Sequence, residues 1–245
     1  MKIIGNIFFN FMMVLINIID FSNKKKIIYF FKSKINNNQI NVIDIGSHKG
    51  ETIDLFTKNF NVNKIYSLEP NKNLFNHLIS NKKYKLDKIE LFNFGIGEKT
   101  ENKELNVYKD TSSSTLNSLN EDTEYFKRKK KILSFFSLSE NLEKIKQTVQ
   151  IYNLSDFIHE NNIQKIDILK IDTEGYEYKI LKGIDSKEFK KVRYIYFEHH
   201  YDLMINKGYT YSDINNLLIN NNFKKKFKLR MKFRKSFEYI YENSK

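Results

Sequence analysis

Apolar positions along this chain switch between two periods. Val42-Ile43-Asp44-Ile45 is a short, nearly unbroken apolar run, and comparable runs recur at 64–69, 89–94, 166–172 and 192–197. Runs of this length bounded by turn residues read as buried strands, and Gly95-Ile96-Gly97 reads as the turn that closes the third. Between them the spacing relaxes to that of helices. Leu74, Phe75, Leu78 and Ile79 share one face of a helix over 71–80, and Tyr178, Ile180 and Leu181 mark another that opens at Gly175 and ends near Gly183. Leu154–Glu160 and Tyr211–Ile219 read as further helices. Leu105–Tyr108 alternates, which predicts an antiparallel partner nearby, and Thr148–Ile151 resumes strand character. Phe223–Tyr241 alternates apolar and charged residues, as two antiparallel strands do. The rhythm predicts an α/β fold: a mostly parallel, seven-stranded sheet with an antiparallel edge and helices on both faces.

Two segments stand outside this rhythm. Residues 1–21 are strongly apolar, with Asn6, Asn10, Asn17 and Asp20 forming a narrow polar stripe, and Lys24-Lys25-Lys26 follows. An amphipathic helical segment over 1–38 is expected, ahead of a domain over 39–245. It either covers one face of that domain or lies on a membrane surface, with lysines near anionic headgroups. No small-residue cleavage site follows the apolar run, which weakens a secretory reading, and the polar interruptions weaken a membrane span. A cytoplasmic location is expected, with peripheral membrane contact through 1–26 as the variant. The second segment, 111–147, begins with the polar Thr111–Thr115 loop and contains five consecutive basic residues, Lys127–Lys131. It reads as a charged insertion carrying some helix, and its serines 112–114 are placed to act either as a lid or as a plain solvated loop.

Composition changes the picture in two places. The 245 residues contain 42 Lys and Arg against 29 Asp and Glu, a net charge of +13. Such a charge ordinarily points to an anionic partner. Here Lys, Asn and Ile are abundant while Ala is absent, the signature of an AT-rich genome, so part of that charge is codon usage. The chain has no Cys, which excludes disulfides, thiolate nucleophiles and Cys-ligated metals. With only 8 Gly and 1 Pro, each is informative.

The first strand ends in Asp44-x-Gly46-x-x-x-Gly50. A glycine turn at the carboxyl end of a strand brings backbone close to a ligand, and open α/β sheets bind cofactors there. A dinucleotide site wants G-x-G-x-x-G, but His48 occupies the middle position. The looser turn that remains is typical of S-adenosylmethionine (SAM) sites. Glu69 ends the second strand 19 residues after Gly50, where an ionised carboxylate can accept from both ribose hydroxyls.

These pieces, in order with Ser67-Leu68-Glu69-Pro70, Asn93-Phe94-Gly95-Ile96-Gly97, Ser112-Ser113-Ser114 and Lys170-Ile171-Asp172-Thr173-Glu174-Gly175-Tyr176-Glu177, resemble the FkbM family of SAM-dependent methyltransferases. The likeness covers roughly 40–200 and is most specific in the K-I-D-x-E-G-x-E run. It implies a Rossmann-like class I methyltransferase fold, SAM as cofactor, and cofactor contacts at Asp44, Gly46, Ser47, Gly50, Glu69 and Asn93. Members of that family mostly methylate hydroxyl oxygens, often on sugars or secondary metabolites.

Methylating a hydroxyl requires that its proton leave, so a base is sought at the carboxyl ends of the central strands. Asp172 ends one such strand, and Glu174 and Glu177 follow on the turn and in the next helix. Glu198, His199 and His200 follow another, and a neutral His is the usual base near pH 7. Asp172, Glu198 and His199 are therefore the candidate catalytic residues. Asp172 and Glu198 with a His would also suit Mg²⁺. The expected activity is O-methylation of a sugar, glycan or related small molecule. Methylation of RNA ribose is the alternative, with the basic strands at 227–234 as the binding surface.

Overall fold

A computed structural model describes residues 22–36, 38–108, 114–135, 144–231 and 235–244. The apolar segment 1–21, Ser112 and Ser113 of the serine loop, and Lys232–Arg234 of the tail lie outside the described residues.

A helix over 22–35 (α1) comes first. It buries Ile27, Phe31 and Ile35, spaced four apart, and so lays one stripe on the sheet. Then follow β1 (Ile40–Ile45), α2 (Glu51–Asn59), β2 (Val62–Leu68), α3 (Lys72–Ser80), a short 3₁₀ turn, β3 (Ile89–Phe92), β4 (Gly95–Gly97), β5 (Glu101–Tyr108), α4 (Glu124–Phe135), β6 (Lys144–Asn153), α5 (Leu154–Glu160), β7 (Ile166–Ile171), α6 (Glu177–Lys182), α7 (Ser186–Phe189), β8 (Val192–His200), α8 (Tyr211–Asn220), β9 (Phe223–Arg230) and β10 (Ser236–Asn243). The main sheet has seven strands in the order β3-β2-β1-β7-β8-β10-β9. The pairs β2–β3, β1–β2, β1–β7 and β7–β8 are parallel, and β10 runs antiparallel to both its neighbours. The expected mostly parallel sheet with an antiparallel edge is what forms.

Strand alternation sends side chains to two helix layers. Val42, Ile168, Tyr194, Tyr196 and Ile240 face α1 and α2, where Phe31 meets Phe56, Tyr194 and Tyr196 edge-on. Ile43, Ile45, Leu169, Ile171, Ile195, Phe197, Tyr239 and Tyr241 face the other way, onto α5 to α8.

Two local expectations need correcting. Gly95-Ile96-Gly97 is not the turn that closes the third strand. It is a strand of a second, three-stranded sheet, order β4-β6-β5. Its glycines serve packing, because a Cβ at either would meet the Ile151 side chain at 2.7 Å. The strand expected to end at Phe197 runs on to His200, because β10 continues the ladder and pairs Ser236 with His200. The helix over 22–35 lies within the segment, 1–38, that was expected to be helical. No helix among the described residues is long and apolar enough to cross a membrane.

Candidate active site

The carboxyl ends of β1, β2, β7 and β8 border a cleft of about 470 Å³ that reaches across to β10 and the start of α1. Its wall at the β1–β2 end is built from consecutive loop residues. Gly46 has φ +86°, and a Cβ there would lie 2.0 Å from the Asp172 carbonyl oxygen, so glycine is required for β1 and β7 to end this close together. Gly50 has φ +89° and is packed under Tyr84, whose hydroxyl donates to the Lys49 carbonyl at 3.1 Å. His48, also left-handed at φ 50°, turns its backbone N–H toward Glu69.

Glu69 is the pivot of this end. One carboxylate oxygen accepts from His48 N at 2.8 Å and the other from Asn71 N at 2.9 Å. The residue is 4% exposed and lines the cleft. Burial pushes its carboxyl up to about 7, against the pull of those two amide donors. Behind the turn, fully buried Asp44 accepts from Ser67 at 3.3 Å, and burial, opposed mainly by nearby Lys170, pushes its carboxyl up to about 6.

The other end is assembled by sheet register. Asp44 pairs with Lys170, Lys170 with Tyr196, and Glu198 with Glu238, all on the face that carries α1. Lys170 Nζ sits 2.8 Å from Asp172 Oδ2 and 5.1 Å from the centre of the Tyr196 ring. The Tyr196 hydroxyl donates to Glu238 Oε1 at 2.7 Å. Asn23 and Lys24 of α1, with Met231, close the cleft over these groups.

The turn after β7 is held by Glu177, not by its neighbours. Glu177 Oε1 accepts from the backbone N–H of Thr173 and Gly175 and from the Thr173 hydroxyl, and Oε2 accepts from the Tyr209 hydroxyl. Thr115 and Asn117 donate to the carbonyls of Glu174 and Gly175 at 2.8 and 2.6 Å, so the loop before α4 clasps the same turn. Glu174, at φ 50°, reaches His200 Nε2 at 3.2 Å, and Asp202 lies 3.6 Å from the other ring nitrogen. Burial favours the neutral ring, but these carboxylates win and hold His200 well above the ordinary histidine range.

Of the residues singled out in the sequence, Gly46, Ser47, Glu69, Asp172, Glu174 and Glu198 line the cleft. Asp44 and Gly50 support the turn without lining it. Asn93 donates from its amide to the Glu69 and Pro70 carbonyls and so fixes the β2 end from outside the cleft wall. His199 is also off the wall. By alternation it points to the opposite face from Glu198, among Tyr201, Tyr209 and Tyr211, where burial pushes it down to about 4. Lys170, Tyr196 and Glu238 were not anticipated. Lys170 had a signal, a lysine inside an otherwise apolar strand; Glu238 had only its place in an alternating run. Among the described residues, no group of three or more His, Asp or Glu is arranged to hold a metal ion, so the Mg²⁺ expectation gains no support.

Comparison with known proteins agrees with this geometry. Residues 44–225 match the methyltransferase FkbM domain. The methyltransferase sdnD of Sordaria araneosa is 34% identical over 62 residues, 22% of this chain and 24% of its own length. The crystal structure of methyltransferase FkbM from Methylobacillus flagellatus superposes with a TM-score of 0.52 at 14% identity, covering 86% of this chain and 46% of that one. The METTL16 methyltransferase domain gives 0.52 at 11% identity, covering 91% of this chain and 67% of that one. At such identities the structural likeness is one of fold. The chain spans about a quarter of the curated relative's length and about half of the first structure's.

Proposed function

The chain belongs to the FkbM family of SAM-dependent methyltransferases, and from that membership we propose that it methylates a hydroxyl oxygen of a sugar, glycan or related small molecule. One observation carries the proposal: a single cleft with a buried, amide-braced carboxylate at one end and a set of carboxylates around a buried lysine at the other.

The residues at the first end fit the cofactor. A Cβ at Gly46 would fill the space where the chain turns, and Glu69 presents a desolvated carboxylate with lone pairs left for a diol. Glu69 would hold the ribose, and the Gly46–Ser47 backbone the methionine portion. SAM supplies an electrophilic methyl group when bound. The protein's share is alignment of the acceptor and removal of its proton. Asp172, Glu198 and Glu238 are the carboxylates placed to take it. Asp172 is also held in an ion pair with Lys170 at 2.8 Å. His199 is left out of this role because it points away from the cleft.

The hydroxyl class and the sugar class both follow from the family. Mass spectrometry of glycans from cells with and without the gene tests the proposal. Loss of an O-methyl group is expected; identical O-methylation would sink the reading. RNA ribose methylation is favoured only by the exposed Lys224, Lys225, Lys226, Lys228 and Arg230 of β9. Those residues sit on an edge strand, where lysines also block pairing between sheets. RNA affinity that falls steeply with salt would promote that reading.

A further inference from the structure

Glu198 and Glu238 lie directly opposite each other on β8 and β10. Like charges in that position are destabilising even on a solvated sheet, and here the residues are only 6% and 8% exposed. The nearby cations are already engaged: the His200 ring, 3.8 Å from Glu198, is shared with Glu174 and Asp202. Lys170 Nζ is 2.8 Å from Asp172, and Asp44 and Glu238 also feel its charge. Glu238 spends one oxygen on the Tyr196 hydroxyl. Its other oxygen is buried and accepts no hydrogen bond among the described residues, and the residue lines the cleft. An unsatisfied buried carboxylate oxygen costs free energy and calls for an explanation.

We propose that this end of the cleft binds a protonated amine on the acceptor, so that the substrate is an amino sugar or a related amino alcohol whose ammonium group sits against Glu238, beside Glu198. The inference rests on the methyl-transfer reading and narrows its substrate class. A neutral hydroxyl could donate one hydrogen bond to the open oxygen. It would bring no positive charge to Glu238, which faces Glu198 across the two strands. An ammonium group supplies both a donor and the charge, and charge-assisted hydrogen bonds are the stronger kind. The position of Glu238 agrees: burial and the facing Glu198 push its carboxyl up to about 7, the behaviour of an acid short of a counter-ion. The rest of the chain is strongly basic, with a net charge of +13, so this acidic floor runs against the composition around it.

The test is calorimetry on the full chain saturated with S-adenosylhomocysteine. Glucosamine, galactosamine and 2-deoxystreptamine are titrated against glucose and N-acetylglucosamine as uncharged counterparts. At least one amine should bind about tenfold or more tightly than the uncharged sugars, and Glu238→Gln should remove most of that preference. Glu198→Gln, with an intact melting transition, should weaken it to a lesser degree. Equal binding of charged and uncharged sugars overturns the inference, as does no binding of any amine, or a preference that survives Glu238→Gln. If S-adenosylhomocysteine itself fails to bind, the cofactor reading falls and takes this inference with it. If it binds without any amine preference, only this inference falls.

Discussion

The two ends of the cleft are built in different ways. At the end proposed to take the cofactor the chemistry is local. Gly46 to Gly50 form one turn, and Glu69 and Asn71 form the next, so a handful of residues close in sequence set the geometry. At the end proposed to take the acceptor it is dispersed. Lys170, Tyr196 and Glu238 come from three strands and are brought together by the register of the sheet, and Asn23 of α1 lines the same cleft. The first kind of site survives being read as a string. The second needs to know which strands are neighbours and which face each residue takes.

The largest expected effect lies where the two ends touch, at Gly46 against the Asp172 carbonyl. Gly46→Ala adds a Cβ 2.0 Å from that oxygen at φ +86°. Left-handed strain and overpacking together should cost about 4 kcal/mol. Urea unfolding should show the loss, and calorimetry should show no SAM binding. A variant that melts like the parent would mean that the two ends are not mechanically joined.

Lys170→Met tests the acceptor end alone. It removes the cation from among Asp172, Asp44 and Glu238. The Asp172 side chain is 38% exposed, so solvent screens the pair and its loss should cost about 2 kcal/mol. The cost should be greater at pH 8 than at pH 6. The carboxyls of Asp44 and Glu238 already lie above their ordinary values, so the folded state holds protons that the unfolded state has released, and stability falls as pH rises toward 7. Without Lys170 those carboxyls rise further and the slope steepens. A pH-independent cost would show that Lys170 is a packing residue.

The difference between local and dispersed also explains what the sequence revealed. Asp44-x-Gly46-x-x-x-Gly50 and Glu69 were legible because strand-end chemistry and spacing suffice to place them. The α/β rhythm was legible because each strand is an apolar run. Glu198 and His199 were both visible as candidates, but adjacent residues on a strand point to opposite faces. Knowing which one enters the cleft required β8 to be seen continuing to His200. Glu238 was invisible for a related reason: its alternating stretch looks like an ordinary edge, and its importance comes from lying opposite Glu198. Gly95 and Gly97 looked like a turn because the residue that needs their missing side chains, Ile151, is more than fifty positions away.

Glu69→Gln sharpens the cofactor end. It keeps the shape and removes the charge, so SAM affinity at pH 8 should fall about tenfold or more, as expected for a hydrogen bond to a charged group. The parent should bind SAM more tightly as pH rises through about 7, because ribose hydroxyls need the ionised carboxylate and burial holds its titration there. The Gln variant should lose that pH dependence. If parent and variant show the same profile, Glu69 is not the group that meets the ribose.

The smallest effect is expected at His199, and it tests the boundary of the acceptor end. His199→Phe should leave SAM affinity unchanged and shift stability at pH 7 by less than about 1 kcal/mol, because the ring is neutral there and packed among tyrosines. The change should appear on the acid side. With its folded value near 4, below the ordinary 6.5, the imidazole binds fewer protons folded than unfolded, so the parent loses stability as pH falls from 6.5 to 4. Phe cannot titrate, and the variant's curve should be flatter over that window. If instead the variant keeps its stability and SAM affinity but loses methyl transfer in cells, measured by the glycan mass spectra, the acceptor reaches the far face of β8 and the acceptor end extends beyond Asp172, Glu198 and Glu238.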